Sequence, residues 1–251
     1  MLSISEKINS EDIALVLKKF QRLAEFGKTP VASSRSHKDG WGIAAYKNGE
    51  VISCAKGIGS AFGNRQYSKA MKTAQAARPE IIFGHLRKAS VGSRSINNTQ
   101  PFISGKYMFC QNGTISDSEK IKLERNLESK LKGETDSERF FFYILQLLAK
   151  HKKINAALVK KSIKEAVVYI RENFDFTSLN MIFSDGECVW ALREINERNE
   201  KVRQLKLMDY YSLFIGVGES CRVVASEKLG IEGMKWEKIR NHELLEMKLH
   251  N

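Results

Sequence analysis

The chain has little of what several function classes require. Its 251 residues include only four cysteines and five histidines. Cys54, Cys110, Cys188 and Cys221 stand far apart, with no C-x-x-C pair and no histidine at metal-ligand spacing. That argues against the common zinc patterns, and without a secretion signal it favours free thiols over a disulfide framework. No metal and no cofactor are expected. Long apolar runs are missing as well. The longest largely apolar stretch, Phe140 to Ala149, is closed by Arg139 and Lys150, whereas a bilayer span needs roughly 20 residues. Glu6, Lys7, Glu11 and Asp12 sit where a signal peptide would need an apolar segment. The expectation is a cytoplasmic protein without membrane association. Repeats, linkers and low-complexity tracts are also absent, which suits one domain over residues 1–251.

What is present fits a globular protein: 42% of the residues are apolar and 28% charged, enough to bury a sizeable core. The net charge is +12, from 41 Lys and Arg against 29 Asp and Glu. Clustered cations would be rewarded by counterion release on nucleic acid. Here they are mixed with acids, as in Lys120 to Lys132, and no recognition motif accompanies them. A solvated basic surface is the simpler reading, and nucleic acid is not expected as a partner.

Periodicity organises the chain. Residues 11–26 read as a helix: Ser10 can cap it, Ile13, Leu17, Phe20 and Ala24 share a face, and Gly27 stands at the stop. Residues 41–47 and 51–56 read as a hairpin around Asn48-Gly49. A short helix over 66–77 precedes two buried strands, 81–86 and 106–110. Thr135-Asp136-Ser137-Glu138 has the form of a capping box, with Thr135 as N-cap and Glu138 reaching back to it. An apolar stripe from Phe140 to Leu148 follows, then a helix over 155–172. Strands are expected at 178–184 and 188–193 about an Asp185-Gly186 turn, and near 203–208, 213–217 and 222–226. The order helix, strands, two helices, strands suits stacked sheets with helices outside, not alternating βαβ units.

Three loop clusters at the ends of expected strands carry functional side chains: His37 to Gly42 before a strand, Gly84 to Ser90 across a strand end, and Gln111 to Thr114 after a strand. Asn112 beside Gly113 offers an amide and a backbone N–H that can converge on one oxygen, as an oxyanion hole requires; a plain Asn-Gly turn is the alternative. Arg87, one residue past a buried strand, presents a fork suited to a carboxylate. Asp136, in the first turn of a capped helix, can serve the helix dipole or hold a carboxylate out to an ammonium group. For each residue alone the structural role stays open. Together they describe a site for an α-amino acid whose side-chain carbonyl is attacked.

The run H-x-D-G-W-G-I-A (His37 to Ala44), G-H-L-R-K-A-S (Gly84 to Ser90), N-T-Q-P-F (Asn98 to Phe102), Q-N-G-T-I (Gln111 to Ile115) and E-T-D-S-E (Glu134 to Glu138) resembles the class II glutamine amidotransferases, of the N-terminal-nucleophile hydrolase superfamily. It looks closest to the stand-alone branch, which Ser184 to Gly186 and Val223 to Leu229 also fit. The resemblance implies an α+β fold: an αββα sandwich of two antiparallel sheets between helical layers. It implies that Arg87 binds a glutamine α-carboxylate with Ser90 helping to place the substrate, and that Asp136 takes the α-ammonium. Asn112 and Gly113 would form the oxyanion hole, and Asp39 and Gly40 would lie in the loop beside the nucleophile. It further implies glutamine or a γ-glutamyl small molecule as substrate, with an ammonia-accepting partner left open.

One departure bears on activity. The family's nucleophile is an N-terminal cysteine whose own α-amino group is the base, and no cysteine precedes Cys54. Leu2 to Ser5 looks like the far end of the family's first strand, so the expectation is that a few residues are missing upstream; a chain that has lost the nucleophile is the rival. Cys110, in a strand, is expected to be an inert core residue. Gln100 and Gln111 stand where relatives commonly have histidine.

Overall fold

The computed structural model describes residues 1–5, 9–30 and 36–249. Two antiparallel sheets pack face to face. The larger has seven strands: β1 (Leu2–Ser5), β2 (Gly40–Lys47), β3 (Glu50–Gly57), β4 (Ile81–Arg87), then β9 (Phe214–Val217), β10 (Arg222–Ala225) and β11 (Lys235–Lys238). The smaller has five: β5 (Phe102–Ser104), β6 (Tyr107–Asn112), β7 (Asn180–Ser184), β8 (Cys188–Arg193) and β12 (Glu243–Lys248). Helices α1 (Ser10–Phe26) and α2 (Arg65–Ala76) cover the larger sheet. Short α3 (Arg125–Glu128), α4 (Asp136–Ala149) and α5 (Ala156–Asn173) belong with the smaller sheet, and α6 (Glu200–Gln204) lies outside both layers.

Strand alternation builds three apolar layers. Trp41, Ile43, Ile82 and Leu86 face α1 and α2, where Val16, Leu17 and Phe20 meet them. Between the sheets, Ala44, Tyr46, Ile81 and Phe83 pack on Met108, Cys110, Ile182 and Val189. Beyond the smaller sheet, Phe109, Phe183 and Trp190 pack on Phe140, Phe141 and Ile163. The expected four-layer sandwich is thus the observed one. Among the described residues no helix is long and apolar enough to cross a membrane.

The two sheets are also strapped together. The Tyr46 hydroxyl of β2 donates to the Lys106 carbonyl at 2.5 Å, in the turn between β5 and β6, and to the Ser184 carbonyl at 3.2 Å, at the end of β7. Strand β1 lies in the middle of the larger sheet, with Leu2 opposite Gly84 on one side and Ala225 on the other. Its N-terminal end therefore opens where β4 and β10 end or begin.

Several boundaries differ from the expectation. Asn9 caps α1, not Ser10: its side chain accepts from the Asp12 N–H at 2.8 Å. Thr135 does cap α4, accepting from the Glu138 N–H. The Glu138 carboxylate, however, reaches past Thr135 to the N–H groups of Lys132 and Gly133. The strand expected near 203–208 is the end of α6 and a turn through Lys206, at φ +51. Alternating Leu205 and Leu207 imitates a strand there, but Asn199 caps a helix by accepting from Val202 N–H. Strands β5, β11 and β12 have no counterpart in the sequence reading.

Candidate active site

A cleft of about 330 Å³ opens where the two sheets end. Of the residues singled out from sequence, Arg87, Ser90, Asn112, Gly113 and Asp136 all line it. Asp39 and Gly40 do not. Asp39 braces the cleft wall from behind: one carboxylate oxygen accepts from the Ala89 N–H at 2.8 Å and the other pairs with Arg94 at 2.6 Å. Gly40 opens β2 opposite Arg87, and a Cβ there would lie 2.7 Å from the Thr99 hydroxyl.

Arg87 is the last residue of β4 and not one past it. Its guanidinium donates to the carbonyls of Val91 and Ser93, each at 2.9 Å, and of Gly92 at 3.2 Å. The fork thus folds its own loop around itself, and Glu134 pins the far side by accepting from the Ser93 N–H at 3.1 Å. Ser90, in the same loop, accepts from the Thr114 hydroxyl at 3.1 Å.

Across the cleft, β6 runs two residues further than expected, so Gln111 and Asn112 belong to the strand itself. Gly113 follows at φ +138, and a Cβ there would lie 1.9 Å from the Ser178 carbonyl oxygen. Only glycine fits. Asp136 opens α4, almost fully buried, and its carboxylate accepts from the Ile115 N–H at 2.7 Å. Burial raises its pKa to about 6, against the pull of the Ile115 N–H and of the amides at its own helix start.

Between these walls lies a buried amide network absent from the sequence assignments. Gln111 N–H donates to Gln100 Oε1 at 2.7 Å, and Gln100 Nε2 donates to the Gln111 carbonyl at 3.1 Å. The Gln111 amide donates to the Ser178 carbonyl at 2.9 Å and accepts from the Ser137 hydroxyl. The network joins the strand of Asn112 to the helix of Asp136.

The cleft also contains Met1, His37, His85, Tyr211 and Glu227. His37 and His85 stand inside the quoted motifs, so their types were visible but their placement was not. Burial pushes the His37 pKa down to about 4, and its ring contacts the Lys28 carbonyl at 2.9 Å. Tyr211, whose hydroxyl donates to the Thr177 hydroxyl at 2.9 Å, lies between the expected strands at 203–208 and 213–217 and carried no assignment from sequence. Met1 stands at the open end of β1, its buried amino group 3.3 Å from Ser226 Oγ. No cysteine is among the described residues lining the cleft. Cys110 is fully buried beneath it, and burial pushes its thiol up to about 12.

Two antiparallel sheets between helices, with a cleft at the end of a central strand, form the architecture of the N-terminal-nucleophile hydrolases. The glutamine phosphoribosylpyrophosphate amidotransferase of B. subtilis shares it: TM-score 0.63 at 17% identity, over 98% of this chain and 46% of that one. The family model for class II glutamine amidotransferases matches residues 10–211. The chain belongs to that family. It is 28% identical over 232 residues to an uncharacterized protein of Methanocaldococcus jannaschii, covering 86% of this chain and 62% of that protein. It is 26% identical over 253 residues to "Probable glutamine amidotransferase DUG3" of Saccharomyces cerevisiae, covering 84% and 69%. The chain thus spans about 62% of the length of the first of these relatives.

Proposed function

We propose that the cleft binds the α-amino-acid end of glutamine or of a γ-glutamyl compound, and that a cysteine thiol at the N-terminal end of β1 turns this binding into hydrolysis of the γ-amide. The observation that carries the reading is convergence: a cation, a buried carboxylate and the Asn112–Gly113 pair face one cleft although they come from three separate parts of the chain. Arg87 would meet the α-carboxylate, with Ser90 beside it. Asp136 would meet the α-ammonium. Asn112 Nδ2 and the Gly113 N–H would meet the amide oxygen, where losing one donor typically costs about 3 kcal/mol of barrier lowering.

In the reaction the thiol gives its proton to the adjacent α-amine, and the sulfur attacks the amide carbon. The nitrogen leaves with that proton as ammonia or an amine, and water then cleaves the glutamyl thioester. Among the described residues, Met1 holds that strand end and brings no thiol. A second reading, a glutamine- or glutamyl-binding domain without catalysis, is favoured by that one residue.

Met1→Cys, produced so that the cysteine is the first residue, separates the two. Ammonia release from glutamine by that variant, abolished by Asn112→Ala, supports the hydrolytic site. Glutamine binding without any release by Met1→Cys leaves the binding reading. Absence of glutamine binding in both proteins refutes the proposal.

A further inference from the structure

Among the described residues, five buried side-chain nitrogen or oxygen atoms lack a hydrogen-bond partner: Ser3 Oγ, Trp41 Nε1, His85 Nδ1, Trp190 Nε1 and Trp236 Nε1. Only one of these residues, His85, lines the cleft. A buried polar group left unpaired costs stability and calls for an explanation. At His85 the unpaired atom is Nδ1 of a ring that lines the cleft, and it bears on which ring nitrogen carries the proton.

The placement follows from strand geometry. Ile81, Phe83, His85 and Arg87 alternate onto the face of β4 that looks toward the second sheet, where Ile81 and Phe83 are already in the inter-sheet core. His85 is therefore one step inward from Arg87. Two strand residues advance ~6.8 Å, comparable with the reach from carboxylate to amide in an extended glutamine. On β2 its opposite number is Gly42, which brings no side chain to meet it. On the other side, the register that sets Leu2 opposite Gly84 brings the N-terminal end of β1 alongside His85.

The state of the ring follows from the same surroundings. Burial, and then the amino group of Met1, His37, Arg87 and Lys56, hold the imidazole neutral. A neutral ring has one N–H and one lone pair. Orphaned buried N–H groups are rarer than under-satisfied acceptors, so the lone pair belongs on buried Nδ1 and the proton on Nε2.

We infer that His85 is a substrate-binding residue for the amide end of the ligand, donating its Nε2–H from the floor of the cleft while Arg87 and Asp136 hold the α-amino-acid end. The inference rests on the proposed glutamine site. It assigns His85 to discrimination between ligands with and without the side-chain amide.

Calorimetric titration with glutamine and with norvaline, which has the same carbon chain and no amide, tests it on the full chain. His85→Leu weakens glutamine binding about fivefold to tenfold, the factor of one hydrogen bond, and norvaline binding less than twofold. His85→Gln, which restores an N–H, recovers most of the loss. Wild-type binding of glutamine with His85→Leu unchanged, or weakened equally for both ligands, overturns the inference and leaves the site reading standing. No glutamine binding by the wild type overturns both. Should His85→Leu fail to fold, histidine ¹⁵N spectra of the wild-type protein decide. The expected result is an Nε2–H tautomer whose signal moves with glutamine and not with norvaline; an Nδ1–H tautomer, or a ring that glutamine leaves unmoved, overturns it.

Discussion

Asp136 is a carboxylate whose own burial works against its charge. Its pKa of about 6 lies above the ordinary value of 3.8 because burial penalises the charged form. The folded value is the raised one, so the ionised carboxylate costs the empty fold stability. That cost is absent below about pH 4 and complete above about pH 6; at 1.36 kcal/mol per unit it is on the order of 3 kcal/mol. Asp136→Asn keeps an oxygen for the Ile115 N–H and removes the charge. Its midpoint of thermal unfolding is expected to exceed the wild type's at pH 8 and to match it at pH 4. Glutamine binding by the wild type is expected to strengthen as pH rises through about 6. Gly113 is constrained from the other direction. Gly113→Ala must move the Ser178 backbone while holding a positive φ, and denaturant unfolding is expected to show a loss of about 3 kcal/mol.

At the scale of elements, β6 and α4 matter as a pair, since they carry Asn112 and Asp136. The Gln111 side chain ties one to the other through Ser137, and to Ser178 on the neighbouring segment. Gln111→Leu leaves the Ser178 carbonyl and the Ser137 hydroxyl buried without partners, a cost of about 2–3 kcal/mol in chemical unfolding. It is also expected to weaken glutamine binding, because the two walls lose their common fixture. The sequence shows these elements unevenly. The caps at Thr135 and the turn at Asn48-Gly49 are local signals, and both elements form where those signals put them. The short edge strands β5, β11 and β12 exist through pairing with distant partners, which no local pattern reports. The segment 203–208 misleads because two alternating leucines look like a strand while the capping signal lies upstream at Asn199. Within the site, Arg87, Asn112 and Asp136 are legible as chemistry at element ends. The cage of carbonyls around Arg87 and the arrival of Tyr211 and Glu227 at the cleft depend on long-range packing.

At the scale of the molecule, the cleft exists because two sheets are held face to face and one central strand ends between them. Tyr46 strengthens that closure across the inter-sheet layer. Tyr46→Phe keeps the ring and removes the hydroxyl that serves the Lys106 and Ser184 carbonyls, and equilibrium unfolding is expected to show a loss of about 1–2 kcal/mol. The +12 charge comes from Lys and Arg residues spread along the chain, of which Lys28, Arg87, Lys88 and Lys201 line the cleft. The measurement that bears most directly on the central claim is a calorimetric titration of glutamine into the protein and into Asp136→Asn at pH 8. The account predicts saturable binding to the wild type, with at least a tenfold loss in the variant, since the buried partner of the α-ammonium is gone. No heat of binding with the wild type, or equal affinity for both proteins, would contradict it.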